Sequence, residues 1–109
     1  MTGSPGEWFE CTGFEWDAGN SDQNWKLHRV SRTECEQVFF KRPILVVSDE
    51  GHSQREPRHA ALGRTNAGRR LAVVFTVRGT LVRVISARDM SRRERSIYAQ
   101  AEERDEERD

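Results

Sequence analysis

The strongest constraint on the fold is a β-hairpin encoded by residues 72–89, which read AVVFTVRGTLVRVISARD. Two runs rich in β-branched residues flank the dipeptide Gly79–Thr80, and a two-residue loop that begins with glycine is typical of a tight hairpin turn. A loop of this length sets the register of its two strands. It predicts three cross-strand pairs, which are Arg78–Leu81, Thr76–Arg83 and Val74–Ile85.

A third strand, in the run RHAALGRT, precedes the hairpin and completes an antiparallel meander. If the loop between them is Asn66–Gly68, Thr65 pairs with Arg69, and Arg58 then lies opposite Thr76. A loop one residue longer would exchange the faces of this strand. Because side chains alternate along strands, one face is apolar and predicts the core: Leu71, Val73, Phe75, Val77, Val82 and Val84. The other face, which we call the basic face, carries Arg58, Arg64, Arg70, Thr76, Arg78 and Arg83, with Ala60, Leu62, Ala72, Val74 and Ile85 between them.

Capping residues mark three helices. Asp17 is a good N-cap for a helix that ends near His28. Two capping boxes, each a serine followed three residues later by a glutamate, open further helices at Ser31 and Ser91. With the short β-rich run ILVVSD, these elements predict an α+β fold. Its small antiparallel sheet contains the three-stranded meander and one or two further strands, and its helices pack on one face.

The length of 109 residues suits a single domain, which we assign to residues 1–101, with residues 1–7 flexible. Residues 102–109 read EERDEERD, and every i,i+4 pair among them carries like charges. Such pairs destabilise a helix. We therefore predict that the last helix ends near Ala101 and that residues 102–109 form an acidic, fraying tail.

The formal net charge of zero conceals a segregation of charge along the chain. Residues 1–54 contain five Lys or Arg against nine Asp or Glu, and residues 96–109 contain two against six. Between them, residues 55–95 contain eleven arginines against three acidic residues. A basic segment between acidic ends indicates a surface that binds a polyanion. An arginine-rich solvated surface without a partner explains the pattern equally well.

Several classes of protein are excluded by what the sequence lacks. No apolar run approaches the length of a membrane span, and the start of the chain has no basic-then-apolar leader, so we expect a cytoplasmic protein. Cys11 and Cys35 provide neither a metal-binding spacing nor a disulfide framework. His28, His52 and His59 form no ligand pattern. We therefore predict neither a metal nor another cofactor.

A series of short motifs runs through the chain in a specific order. They are FEWD at 14–17, Asn24, HRVS at 28–31, VF at 38–39, DxxHSxxExR at 49–58, LG at 62–63, VVFTxR at 73–78, RxISAR at 83–88 and RRERxxY at 92–98. Taken together, over about residues 14–98, the chain resembles the BrnT family. Members of that family are toxins of type II toxin–antitoxin modules.

The resemblance implies a RelE-like fold and an endoribonuclease that stops translation by cutting RNA. It also implies a cognate antitoxin with a ribbon–helix–helix-like DNA-binding part, through which alone the operator DNA is contacted. Two positions depart from the family, which has lysine in place of Asn20 and in place of Leu27.

Metal-free cleavage of RNA makes three chemical demands. The 2′-hydroxyl must lose a proton, the charge of the phosphorane must be stabilised, and the 5′-oxygen must gain a proton. Guanidinium groups suit the second demand because they are fixed donors that bind phosphate oxygens in pairs. For this role we predict Arg58, Arg64 and Arg83. Flanking phosphates are assigned to Arg70, Arg78 and Arg88.

Two residues are candidates for proton transfer. Histidine exchanges protons readily near neutral pH, which favours His28, although a histidine at a helix end also caps or packs. Glu56 is two residues from Arg58 and on the same face of an extended chain, where it is either a base or a carboxylate that orients the arginine. Trp16 and Trp25 are candidates for stacking on a base, and Trp16 also suits the core.

Competing functions are compatible with the same residues. The leading hypothesis is an endoribonuclease toxin that a cognate antitoxin neutralises. The alternative is a catalytically weakened homologue that acts only as an antitoxin-binding or nucleic-acid-binding partner. A cluster of arginines that includes His28 or Glu56 favours the enzyme, whereas dispersed arginines without an acid or base favour binding alone.

Overall fold

The predicted hairpin lies at the centre of a five-stranded sheet in the computed structural model, which describes residues 11–48 and 57–107. In chain order the elements are β1 (Gly13–Glu15), α1 (Ala18–His28), α2 (Arg32–Val38), β2 (Leu45–Ser48), β3 (His59–Arg64), β4 (Arg70–Arg78), β5 (Leu81–Asp89) and α3 (Arg92–Glu107). The strand order is β1-β5-β4-β3-β2. β1 runs parallel to β5, and the other neighbours are antiparallel. The predicted α+β class with a small sheet is confirmed, but the sheet is mixed and not wholly antiparallel, because β1 pairs with β5 in parallel. Its RelE-like character stays a prediction.

The register of the hairpin agrees with the sequence at its tip and differs further along. Arg78 pairs with Leu81 and Thr76 with Arg83, as predicted. A β-bulge between Val74 and Phe75 then shifts the ladder, so that Val74 pairs with Ser86 and the predicted Val74–Ile85 pair is wrong. The reason is that β5 contains one extra residue, which turn chemistry alone does not reveal.

The register of the third strand is confirmed. The Thr65 N–H donates to the Arg69 carbonyl over 2.9 Å, and β3 pairs with β4 from His59–Phe75 to Arg64–Arg70. Gly68 closes the turn with a positive φ of 90°, a conformation that glycine adopts without strain. The two predicted faces of the meander are therefore correct.

The apolar face of the sheet forms the main core with α2. Its fully or largely buried members are Val30, Cys35, Val38, Phe39, Ala61, Leu71, Val73, Phe75, Val82, Val84 and Ala87. α2 begins at the predicted capping box, in which Ser31 and Glu34 exchange hydrogen bonds. It approaches β3 so closely that a Cβ on Gly63 would lie 2.7 Å from Val38 Cγ1. The absence of a side chain at Gly63 is what permits this helix–strand contact.

The prediction that all helices pack on one face needs correction, because α3 lies against the basic face. Tyr98 and Met90 are buried there against Leu62 and Ala72 in a second apolar cluster. The Tyr98 hydroxyl donates to the Pro43 carbonyl over 2.7 Å. Leu62 and Ala72, which were predicted to lie on an open face, are thus covered by α3.

The predicted tail also needs correction, since α3 continues through Glu107 instead of ending near Ala101. Glu102 bridges two arginines, with contacts of 3.1 Å to Arg64 and 2.8 Å to Arg70. Asp105 pairs with Arg42 over 2.8 Å. These interactions with other elements outweigh the weak repulsion between like charges within the helix. In the described part of the chain, no helix combines the length and apolarity needed to cross a membrane.

Candidate functional site

Helix α1 lies along the part of β5 that β1 leaves uncovered, and it is attached there by two amide side chains. Asn20 Nδ2 donates to the Val84 carbonyl over 2.8 Å, and the Ala87 N–H donates to Asn24 Oδ1 over 3.1 Å. In this helix, all of whose residues the structure describes, these two asparagines are the only buried residues. α1 is therefore held on the edge of the sheet by hydrogen bonds from side chains and not by an apolar stripe.

The sequence accounts for both ends of α1. Asp17 is the N-cap and forms a capping box with Asn20. At the other end Arg29 adopts the left-handed conformation, with φ 53°, and its N–H donates to the Trp25 carbonyl over 2.9 Å. The chain turns sharply after His28 as a result. The last turn presents a run of exposed side chains, which are Trp25, Lys26, Leu27, His28 and Arg29.

Arg69 connects this end of α1 to the sheet. Its guanidinium forms a bidentate pair with Asp89, at 2.8 Å and 3.1 Å. The same group donates to the backbone carbonyls of His28 (3.0 Å) and Arg29 (2.7 Å), and it contacts the Glu34 carboxylate at 3.2 Å. One side chain thus joins the backbone at the end of α1 to the Asp89 carboxylate at the end of β5.

Asp89 is the acidic centre of this cluster. The hydrogen bond from Arg69 is the main cause that lowers the pKa of Asp89, and the nearby positive charges of Arg69, His28 and Arg95 lower it further. Arg88, the preceding residue, donates to the Asp89 backbone carbonyl over 3.2 Å. One carboxylate thus lies within electrostatic range of a histidine and two arginines.

The two tryptophans occupy different environments. Trp25 is 49% exposed, and the Arg29 guanidinium lies 5.2 Å from the centre of its ring. Trp16 packs against the main core, and its indole N–H donates to Glu36 over 2.8 Å. Trp25 is available to a ligand, whereas Trp16 has a structural role. The sequence alone left both as candidates for stacking.

The predicted catalytic arginines are not brought together. Arg83 pairs with Thr76 on the basic face, and Arg58 immediately precedes the first residue of β3, His59. Arg64 is six residues from Arg58 along an extended chain, about 20 Å away. His28, beside Asp89, is separated from Arg83 by a similar length of β5. Glu56, the other candidate base, lies outside the described residues.

Most of the predicted phosphate-binding arginines are paired with carboxylates of this chain. Arg83 contacts Asp17 at 2.7 Å and Glu15 at 3.8 Å. Arg88 forms a bidentate pair with Glu94, at 2.7 Å and 3.0 Å. Glu102 holds both Arg64 and Arg70. Arg78 is exposed beside the hairpin loop. The basic face is therefore less positive than its arginines suggest, because acidic residues distant in sequence lie against it.

The basic face beside Arg83 is also partly covered. Thr76 is fully buried, and its hydroxyl donates to the Pro57 carbonyl over 2.7 Å. The prediction that Thr76 stands on an open surface is therefore wrong. Strand alternation does not predict this contact with Pro57, which lies two residues before β3.

Three residues near His28 were missed as site residues by the sequence analysis: Arg69, Asp89 and Arg95. One signal for their neighbourhood was present, because Asn20, Asn24 and His28 succeed one another at intervals of four and so share one side of a helix. Asn20 is buried here, and Leu27 is exposed. Over the ranges that the structure describes, no group of three or more His, Cys, Asp or Glu side chains could hold a metal ion.

Comparison with known proteins supplies one match. A family model described as "Ribonuclease toxin, BrnT, of type II toxin-antitoxin system" matches residues 16–94, which is well over half of the chain. The matched range begins at Trp16 and ends at Glu94, so it contains α1, the whole meander and the cluster around Asp89. A search of curated proteins finds no match.

Proposed function

The chain belongs to the BrnT family of ribonuclease toxins of type II toxin–antitoxin systems, and on that premise we propose that it is an endoribonuclease. In this proposal it cuts RNA without a metal, inhibits translation and is neutralised by a cognate antitoxin. The observation that carries the proposal is the cluster at the exposed end of α1. There His28 is exposed, and Arg69 joins its backbone carbonyl to the carboxylate of Asp89.

His28 is the proton-transfer group of the proposed site. It removes the proton from the 2′-hydroxyl while that oxygen forms a bond to phosphorus. The bond from phosphorus to the 5′-oxygen breaks, and the 5′-oxygen takes a proton from solvent. The products are a 2′,3′-cyclic phosphate and a 5′-hydroxyl.

Arginines near His28 stabilise the charge that develops on the phosphate. Arg95 is exposed and lies within electrostatic range of Asp89. Arg88, at the preceding position of β5, is paired with Glu94, which must release it before it can bind a phosphate. Fixed donors of this kind act on developing charge without reorganising during the reaction. Arg69 has a different role, since its donors are already used to hold the site together.

RNA is held by two surfaces in this proposal. Trp25 stacks on a base one turn of helix away from His28, with Arg29 against the ring. Arg58, Arg78 and Arg83 on the basic face bind phosphates further along the strand, where Asp17 and Glu15 must release Arg83. The sheet-face arginines therefore serve binding, and the chemistry takes place at the end of α1.

The antitoxin is the proposed protein partner. The end of α1 combines exposed apolar side chains, Trp25 and Leu27, with three basic ones. An acidic segment that also carries apolar residues would complement this surface and cover His28. We expect a ribbon–helix–helix-like DNA-binding part in this antitoxin, through which the pair contacts its operator.

A second candidate function is favoured by the dispersion of the predicted arginines. Arg64 and Arg70 are held by Glu102, and Arg64 lies about 20 Å from Arg58, so these arginines form no joint site. A homologue with weakened catalysis, which binds only its antitoxin or nucleic acid, would have this arrangement. The lysines lost at Asn20 and Leu27 are consistent with that alternative.

The test combines induced expression with cleavage of a purified RNA. Wild type should arrest growth and release fragments that end in a 2′,3′-cyclic phosphate, and a 2′-deoxy substitution at the cut site should block cleavage. His28→Ala should abolish cleavage, whereas Arg58→Ala with Arg83→Ala should mainly raise KM. Arg104→Ala, an exposed change on α3, is the control. If wild type is harmless and leaves RNA intact, the binding-partner alternative is correct.

A further inference from the structure

The attachment of α1 to β5 is unusual in its chemistry. A helix on a sheet normally buries an apolar stripe, yet the buried positions of α1 are Asn20 and Asn24, at 8% and 2% exposure. Both amides form hydrogen bonds with backbone groups on the edge of β5, in the way that a neighbouring strand would. A leucine at either position would contribute more burial of apolar surface. A leucine would, however, leave the Val84 carbonyl or the Ala87 N–H without the partner that the asparagine supplies.

Asn24 makes this point most clearly. Its Oδ1 accepts the Ala87 N–H, but its Nδ2 is buried and has no hydrogen-bond partner within residues 11–48 and 57–107. Leaving a buried donor unsatisfied is unfavourable. The amide does fix the position of α1 along β5, because a hydrogen bond constrains the distance and angle between its two groups. An apolar contact has no preferred direction, so it would allow the helix to shift along the strand.

The position of α1 matters because His28 lies one turn beyond Asn24 on the helix. Asn20, Asn24 and His28 succeed one another at intervals of four, so they lie along one side of α1. Along β5 the corresponding positions are Val84, Ala87 and Asp89. In a regular strand, every second residue directs its backbone N–H and C=O to the same edge. The β-bulge in β5 interrupts this alternation, and as a result the Val84 carbonyl and the Ala87 N–H both face α1. A shift of α1 along this edge would move the His28 carbonyl away from the Arg69 guanidinium that also binds Asp89.

We propose that Asn24, supported by Asn20, is a positioning residue that holds α1 on the edge of β5 in the register at which Arg69 bridges the His28 carbonyl and the Asp89 carboxylate. This inference rests on the proposed ribonuclease function, because His28 is its proton-transfer group. Asn24 does not touch the RNA in this scheme. It acts through His28, and Arg69 fixes the same end of the helix from the other side through the His28 carbonyl.

The variant that tests the proposal is Asn24→Ala, which removes the acceptor and retains a strong helix former. Its matched control is Gln23→Ala at the neighbouring exposed position. In Asn24→Ala we expect faster hydrogen exchange of the Ala87 amide, an altered NMR titration of the His28 imidazole, and at least a tenfold lower kcat with KM little changed. Gln23→Ala should match wild type in all three.

Asn24→Asp is the conservative variant, since burial favours its neutral carboxyl form, whose carbonyl oxygen still accepts the Ala87 N–H. We expect it to restore protection of Ala87 and most of the cleavage, and it carries the test if Asn24→Ala does not fold. The proposal is overturned if the His28 titration and kcat of Asn24→Ala equal those of wild type, or if Asn24→Asp is as defective as Asn24→Ala. If wild type does not cut RNA, the proposed function fails. The His28 titration and Ala87 exchange still decide whether Asn24 positions His28.

Discussion

Arg69 and Asp89 form a two-point ion pair, with Nε 2.8 Å from one carboxylate oxygen and Nη2 3.1 Å from the other. The two residues are twenty positions apart, one before β4 and one at the end of β5. Through the remaining donors of Arg69, the pair also holds the carbonyls that end α1. The connection between sheet and helix at the proposed site thus depends on one guanidinium.

Replacing Arg69 by alanine should destabilise the fold by about 2 kcal/mol. The change leaves Asp89, Glu34 and two helix-end carbonyls without their donor, and hydrogen bonds to charged groups contribute about 1.5–3 kcal/mol, reduced here by partial exposure. The midpoint of urea unfolding measures the effect. Arg92→Ala, at an exposed position of α3, is the control, and equal midpoints for the two variants would contradict the central role of Arg69.

Acid should remove a stabilising contribution that depends on Glu94. The hydrogen bonds and charge of Arg88, with those from Ser91, lower the pKa of Glu94 from 4.5 to about 2. Because the folded-state pKa is the lower one, the contribution is fully present above pH 4.5 and disappears as the pH falls towards 2. Partial exposure limits it to about 1–2 kcal/mol.

Urea unfolding of wild type and Glu94→Gln at a series of pH values measures this contribution. The two proteins should differ most at neutral pH and converge at low pH, since the wild-type carboxyl is then protonated as well. A difference that stays constant from neutral pH to pH 2 would show that Glu94 does not titrate in this way.

Adding one methyl group at Gly63 should destabilise the contact between β3 and α2. The new Cβ would lie 2.7 Å from Val38 Cγ1 and 3.2 Å from the Val38 carbonyl oxygen. Overpacking of this kind is unfavourable by about 1–3 kcal/mol. Val38→Ala should reduce the penalty, so a double-mutant cycle measured by thermal unfolding should give a favourable coupling. Additive effects would show that the helix moves away freely.

Neutralising Glu102 should weaken the attachment of α3. Glu102→Gln removes the charge that bridges Arg64 and Arg70, and we expect a loss of about 1 kcal/mol at low salt. The loss should shrink at high ionic strength, where charges are screened. Glu103→Gln, the exposed neighbour, provides the control in the same urea series. A salt-independent loss would point to packing instead of charge.

Removing the Trp25 ring should weaken binding of single-stranded RNA. A base that stacks on an aromatic side chain contributes about 1–3 kcal/mol. Trp25→Ala should lose this amount with a 2′-deoxy oligonucleotide that cannot be cleaved, while Trp25→Phe should retain most of it. Leu27→Ala removes a neighbouring exposed apolar side chain and serves as the reference. Equal affinity of wild type and Trp25→Ala would exclude stacking at this position.

Local signals in the sequence predicted local structure correctly. Gly79–Thr80 set the pairs at the tip of the hairpin, and capping residues marked the starts of α1, α2 and α3. The site was predicted less well. His28 was named for its ability to transfer protons near neutral pH, but it was grouped with Arg58, Arg64 and Arg83, from which the fold separates it.

By itself, the sequence determined the strands, their alternating faces, the register of the turns and the family. Each of these depends on backbone geometry within a few residues or on the order of motifs. Only the tertiary structure decided which carboxylate meets which arginine, where the bulge lies, and that α3 covers the basic face. Charge attraction has little direction, and residues 55–95 contain eleven arginines. Many arginine–carboxylate pairs are therefore compatible with the sequence. The packing of Tyr98 and the hydrogen bonds of the α1 asparagines position α3 and α1 on the sheet, and these positions determine which pairs form.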